Sequence, residues 1–118
     1  MKRDDDLMRD LLLEFEQQDD WLLLLPQTLD MSQAERERIG HVYLLCDDGL
    51  VSPYGKHTYR ITNDGHDFLE AIRDEGLWQK TKDTVSETGG NATLEIVKGL
   101  AIGFLKKKIA QHTDIDLG

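Results

Sequence analysis

The groups in this chain able to do chemistry are four histidines, one cysteine and a large stock of carboxylates. His41, His57, His66 and His112 show no short spacing that would bring two metal ligands together, and Cys46 has no second cysteine to share a metal or close a disulfide. His66 and Glu70 lie a helical turn apart, which is ordinary helix surface. Cys46 shares its helical phase with Val42 and Leu45 and reads as a small buried hydrophobe, whereas a nucleophile needs an exposed thiolate beside a base. Ser32, Ser52 and Ser86 have no triad pattern around them. The carboxylates follow solvated helix faces, and no pair stands out for acid–base work. Asp4, Asp5 and Asp6 lack the alternating ligands, glycine and distal glutamate of a calcium loop. Gly89-Gly90 has neither the preceding strand nor the following lysine of a phosphate loop. The expectation is a protein with no catalytic centre, no metal and no cofactor.

That leaves binding. Arg36 and Arg38 in the centre of the chain, with Lys56, His57 and Arg60 just after it, are the residues suited to a phosphate backbone, and Tyr59 would add a phosphate contact. Glu35 and Glu37 alternate with the arginines, and Asp47 and Asp48 follow. The net charge is −9, with −6 over residues 1–31, zero over 32–62, −4 over 63–88 and +1 over 89–118. An acidic chain repels a polyanion at long range. Duplex DNA is therefore the second choice of partner, behind a protein or a second copy of the chain. The residues that would serve the first choice are Val97, Gly99, Leu100, Gly103 and Phe104, in a C-terminal stretch more apolar than a chain of 118 residues readily covers.

The periodicity then predicts the elements. Leu7, Met8, Leu11, Leu12 and Phe15 put an apolar stripe on a helix over roughly 4–18, with the aspartates capping its positive end. Trp21 to Leu25 is an apolar run short enough for a buried strand or, alternatively, a turn of helix. Ser32 and Glu35 form a capping-box pattern opening a helix over roughly 32–48. Gly40 within it costs about 1 kcal/mol relative to alanine, and either permits a close backbone approach or breaks the segment in two. Leu50 to Ser52 and His57 to Ile61 are strand-like, with Pro53, Tyr54 and Gly55 as the turn between them. Thr62 is a good cap for a helix over roughly 63–75, and Trp78, Thr81 and Val85 share a face of the next, ended by Gly89-Gly90. The last helix runs from about Thr93 to His112 and is apolar on more than half its circumference, so it must be covered on two sides. Gly99 and Gly103 would let another helix come close, and Lys106, Lys107 and Lys108 suit its negative end.

Helix, short strand, helix, hairpin, helix is the order of a winged-helix module. The stretch from His41 through Asp47-Asp48-Gly49 to Leu50-Val51 resembles the passage from helix to wing in winged-helix regulators. Arg60-Ile61-Thr62-Asn63-Asp64-Gly65-His66-Asp67-Phe68-Leu69 resembles the exit from the wing. More specifically, the chain resembles the Domain of Unknown Function 2513 family of small bacterial, phage and prophage proteins. The resembling pieces are Met1-Lys2-Arg3-Asp4, His41 with Leu44 and Leu45, Thr62 with Gly65 to Leu69, Ala71 to Asp74 with Trp78, and Gly89-Gly90 with Leu94 to Leu105. The resemblance implies a winged-helix-like fold and a phage or prophage context, and implies no activity. One departure from the standard pattern is that a single clear helix occupies the space between Pro26 and Gly49, where a helix-turn-helix places two.

The expected protein is thus a single domain, α+β and mostly α, winged-helix-like, with a core over residues 1–88 and a C-terminal helix over 89–118. That helix packs on the core or on a second copy. The single cysteine, the charged start and the absence of an apolar run long enough to cross a bilayer point to the cytoplasm and away from a membrane.

Overall fold

A computed structural model describes residues 1–113. The chain forms two compact units, one over Met1–Leu69 and one beginning at Glu70. Residues 114–118 of the segment expected at 89–118 lie outside the described residues.

The first unit begins with α1, Asp5–Glu16. Asp4 caps it, its carboxylate accepting the Leu7 amide at 3.1 Å, with Asp5 and Asp6 in the first turn. This is the capping role expected of the aspartate run. Met8, Leu11, Leu12 and Phe15 are buried on a single stripe. Next, β1 is only Leu23–Leu24. The expected buried strand over Trp21 to Leu25 is therefore corrected: Leu23 points inward, while Trp21 is 60% and Leu24 68% exposed. Strand alternation sends neighbours to opposite faces, so a continuous apolar run on a sheet edge cannot all be buried.

The second helix, α2, spans Gln33–Asp47 without interruption. The capping box forms as expected, with Glu35 N–H donating to Ser32 Oγ at 3.2 Å and Ser32 N–H donating to Glu35 Oε1 at 3.3 Å. Gly40 marks a close approach and not a break: a Cβ there would come within 2.9 Å of the Met1 sulfur. At the far end Gly49 takes a left-handed conformation (φ 76°), its N–H bonding the Cys46 carbonyl while Leu50 N–H bonds that of Leu45. This double closure satisfies the last carbonyls of α2 and turns the chain into the hairpin.

The hairpin consists of β2, Val51–Gly55, and β3, Thr58–Ile61. The sheet order is β1-β3-β2, antiparallel throughout, with Leu23 opposite Tyr59 and Val51 opposite Ile61. The expected turn at Pro53-Tyr54-Gly55 is corrected. Those residues belong to β2, and the turn is Lys56-His57, where His57 has φ 56°. Proline is tolerated there because β2 is an edge strand, and the register is irregular between Pro53 and Gly55.

Thr62 then links the hairpin's exit to its entrance. Its hydroxyl donates to the Gly49 carbonyl and accepts the Gly65 N–H, and its own N–H donates to the Leu50 carbonyl at 3.0 Å. Gly65 is buried, and a Cβ on it would strike the Leu50 carbonyl oxygen. From here α3 runs over Asn63–Ile72. Val42, Leu45, Leu50, Val51, Phe68 and Leu69 join the stripe of α1 among the buried residues. One helix, not two, lies between β1 and β2. The result is a mostly helical α+β, winged-helix-like protein with a small antiparallel sheet.

In the second unit α4 is Glu75–Glu87 and α5 is Leu94–Thr113. Asp74 caps α4 through the Leu77 amide at 3.0 Å and pairs with Lys108 near the end of α5 at 2.8 Å. Lys80 lies over the Phe104 ring, 4.6 Å from its centroid. Thus α4, placed with the core in the sequence reading, packs with α5.

Candidate functional site

The residues suited to DNA are scattered in their engagements. Arg36 is exposed on the first half of α2. Arg38 is held by Glu14 of α1, one guanidinium nitrogen lying 2.9 and 3.1 Å from the two carboxylate oxygens. Lys56 is exposed at the hairpin tip beside His57. Arg60 projects from β3 into a cleft of about 390 Å³ whose walls include Glu16, Asp19 and Asp20. Two of the four basic residues therefore stand beside carboxylates, which offset the positive potential a phosphate backbone requires.

Tyr59, expected to touch phosphate, is in the interior at 6% exposure. Its ring meets that of Tyr43 edge-on at 6.5 Å, and the Tyr43 hydroxyl accepts from Gln27 Nε2 at 2.8 Å. Burial first, and then the bond to Tyr43, push the Tyr59 phenol up to about 12. The cause is strand alternation: Tyr59 shares the inward face with its cross-strand neighbour Leu23, leaving Arg60 outside.

The groups weighed for catalysis also have ordinary places. Cys46 is half-buried, and burial, assisted by Asp47, pushes its thiol up, which leaves little thiolate at neutral pH. His41 is buried, with both ring nitrogens bonded to backbone groups. His66 is exposed in the first turn of α3 and lines the same cleft as Arg60. Among the described residues, no group of three His, Cys, Asp or Glu side chains is arranged to hold a metal. None of their helices is long and apolar enough to cross a membrane.

The partner-binding residues on α5 divide by face. Val97 is buried and is not available to a partner, which corrects its assignment. Leu100 and Phe104 are half-buried, Phe104 beneath Lys80. Gly99 and Gly103 are exposed, and a Cβ on either would meet nothing within 4 Å. Ile96, which the sequence reading missed, is 51% exposed. Its signal was available, because it lies about one turn before Gly99 and so shares the glycines' face.

Sequence reasoning also missed the cleft. Phe15, Leu23 and Ile61 line it together with Trp21, whose ring packs edge-on against Tyr54 at 5.1 Å.

Comparison with known proteins adds kinship. Residues 2–91 match the family described as hypothetical protein (DUF2513). The chain belongs to the DUF2513 family. A relative from Haemophilus influenzae (strain ATCC 51907 / DSM 11121 / KW20 / Rd), described as an uncharacterized protein, is 27% identical over 119 residues, covering 93% of this chain and all of the relative. No solved structure matches this DUF2513 chain. The DUF2513 match ends at residue 91, shortly before α5 begins at Leu94, whereas the Haemophilus relative aligns over nearly the whole chain.

Proposed function

We propose that this DUF2513 protein is a non-enzymatic binding module of the winged-helix type. It acts by protein contact or self-association in a phage, prophage or other mobile-element setting, and works in the cytoplasm. The observation that carries this reading is the outward face of α5, where Ile96 stays half in water beside two glycines. A helix apolar on most of its circumference gains from cover on both sides, and within the second unit α4 covers one side of α5. The raised Cys46 thiol speaks against a cysteine nucleophile.

A photoreactive amino acid in place of the exposed Ile96, irradiated in cells of a native host, tests it. The expected outcome is a covalent product with a protein, absent when the group is placed at exposed Asn91. Absence of any product specific to position 96 defeats the reading.

A DNA-binding regulator is the second reading, favoured by exposed Arg36 and by Lys56 and His57 at the hairpin tip. On that reading Arg36, Arg38, Lys56 and Arg60 carry the contacts, and replacing them by glutamine flattens the salt dependence of binding. A gel shift with random duplex at low salt that shows no complex at micromolar protein removes it.

A further inference from the structure

The outward face of α5 carries charge as well as apolar surface, and the two are ordered along it. Leu94, Val97 and Ala101 are buried on one side of the helix. Ile96, Gly99 and Gly103 are exposed on the other. At 100° per residue, Glu95 and Lys106 fall on one and the same flank of this exposed face, close to the line of the glycines. They are about three turns apart, roughly 16 Å along the axis. At that separation they cannot pair with each other. The face therefore ends in a negative group on one side of the glycines and a positive group on the other.

That arrangement complements itself. When two copies of α5 cross antiparallel, midway between Gly99 and Gly103, each Glu95 comes level with Lys106 of the partner subunit to within about one residue's rise. An antiparallel pair also brings like flanks together, so the two groups meet on the same side of the crossing. A parallel two-fold pair would instead set acid level with acid and base level with base on opposite flanks, where neither meets a countercharge, and would align the two helix dipoles unfavourably. Gly99 and Gly103 sit at the crossing, where the absence of side chains lets the backbones approach and brings Leu100 level with its counterpart, while Ile96, further along, lies against the partner helix near the charged end. A partner of a single charge sign satisfies only one end of this face, whereas a two-fold copy satisfies both.

We infer that the occupant of the exposed α5 face is a second copy of this chain, paired antiparallel through Glu95 and Lys106. This rests on the proposed binding role of α5 and names its partner.

Sedimentation of the full chain over a concentration series tests it, with far-UV circular dichroism confirming that each variant is folded. The wild type is expected to show a monomer–dimer equilibrium. Glu95→Lys and Lys106→Glu each weaken it about 5-fold, from two symmetry-related surface pairs. The double exchange restores it, and Gly99→Arg abolishes it. A wild type that is monomeric at every concentration overturns the inference, as does a double exchange no tighter than its parents. Crosslinking from position 96 separates this failure from that of the broader reading. A product of twice the chain's mass supports both. A product with another protein, alongside a monomeric wild type, overturns the second copy and leaves the binding role standing. No product overturns both.

Discussion

The imidazole of His41 accepts the backbone N–H of Asp4 at 2.8 Å, across 37 positions of sequence. Its other nitrogen is 2.7 Å from the Glu37 carbonyl oxygen, so Nδ1 carries the proton and Nε2 the lone pair. The residue that caps α1 is thereby tied to the middle of α2. His41→Leu keeps the bulk and removes both bonds, leaving the Asp4 amide without its acceptor. The expected loss is about 1–3 kcal/mol, seen as a lower urea midpoint with an unchanged m-value. A midpoint equal to that of the wild type would show that this tie contributes nothing.

Gly65 and Gly99 should respond to alanine in opposite directions. At Gly65 the new methyl collides with the Leu50 carbonyl and with Ile61 Cγ2, so the hairpin's two ends must part, at a cost of about 2–3 kcal/mol. At Gly99 the methyl enters open space on a helix, where alanine is the better helix former by about 1 kcal/mol. Thermal unfolding of the two variants at low protein concentration, where self-association is absent, checks both signs.

Tyr59 predicts an alkaline transition. Its folded phenol, pushed up to about 12, holds its proton more tightly than the unfolded phenol near 10. Its contribution is therefore complete below pH 10 and is lost as pH rises towards 12. Urea stability measured across that window should fall in the wild type and fall less steeply in Tyr59→Phe, while tyrosinate absorbance of the wild type shows a phenol that titrates late.

Asp74 predicts an acid one. The Lys108 ammonium bonded to it, followed by the Leu77 N–H, holds its carboxyl below the usual value of 3.8. A depressed folded value contributes stability above the unfolded value and loses it as pH falls through the folded one. Asp74→Asn retains a capping oxygen and removes the charge, so its stability should vary less with pH in the acid range than that of the wild type. Equal acid slopes in the two proteins would remove Asp74 as a contributor.

What was legible in the sequence was local. The caps at Asp4, Ser32 and Thr62 form as their spacing predicts, because each needs only a neighbour three residues on. The helix order followed from apolar periodicity for the same reason. The hairpin turn was misplaced because Pro53-Tyr54-Gly55 has turn chemistry, whereas the pairing of Val51 with Ile61 and Ser52 with Arg60 sets the register and delivers the turn to His57. Tyr59 and Val97 were misread by face, since a residue's side of an element depends on which neighbour covers it. His41 carried no signal at all, because its partner is a backbone amide far away in the chain. The Arg60 cleft was hidden likewise: its walls come from α1, the loop before β1, β3 and α3.

Thr62 has a practical consequence. By bonding the Gly49 carbonyl while its N–H holds Leu50, it staples the two feet of the flap together and leaves the tip at Lys56-His57 with no part in that anchorage. Extra residues spliced in at the tip would hang from a closed ring whose base is already locked, so this loop is where a foreign epitope or a spectroscopic tag can be grafted with the helices undisturbed.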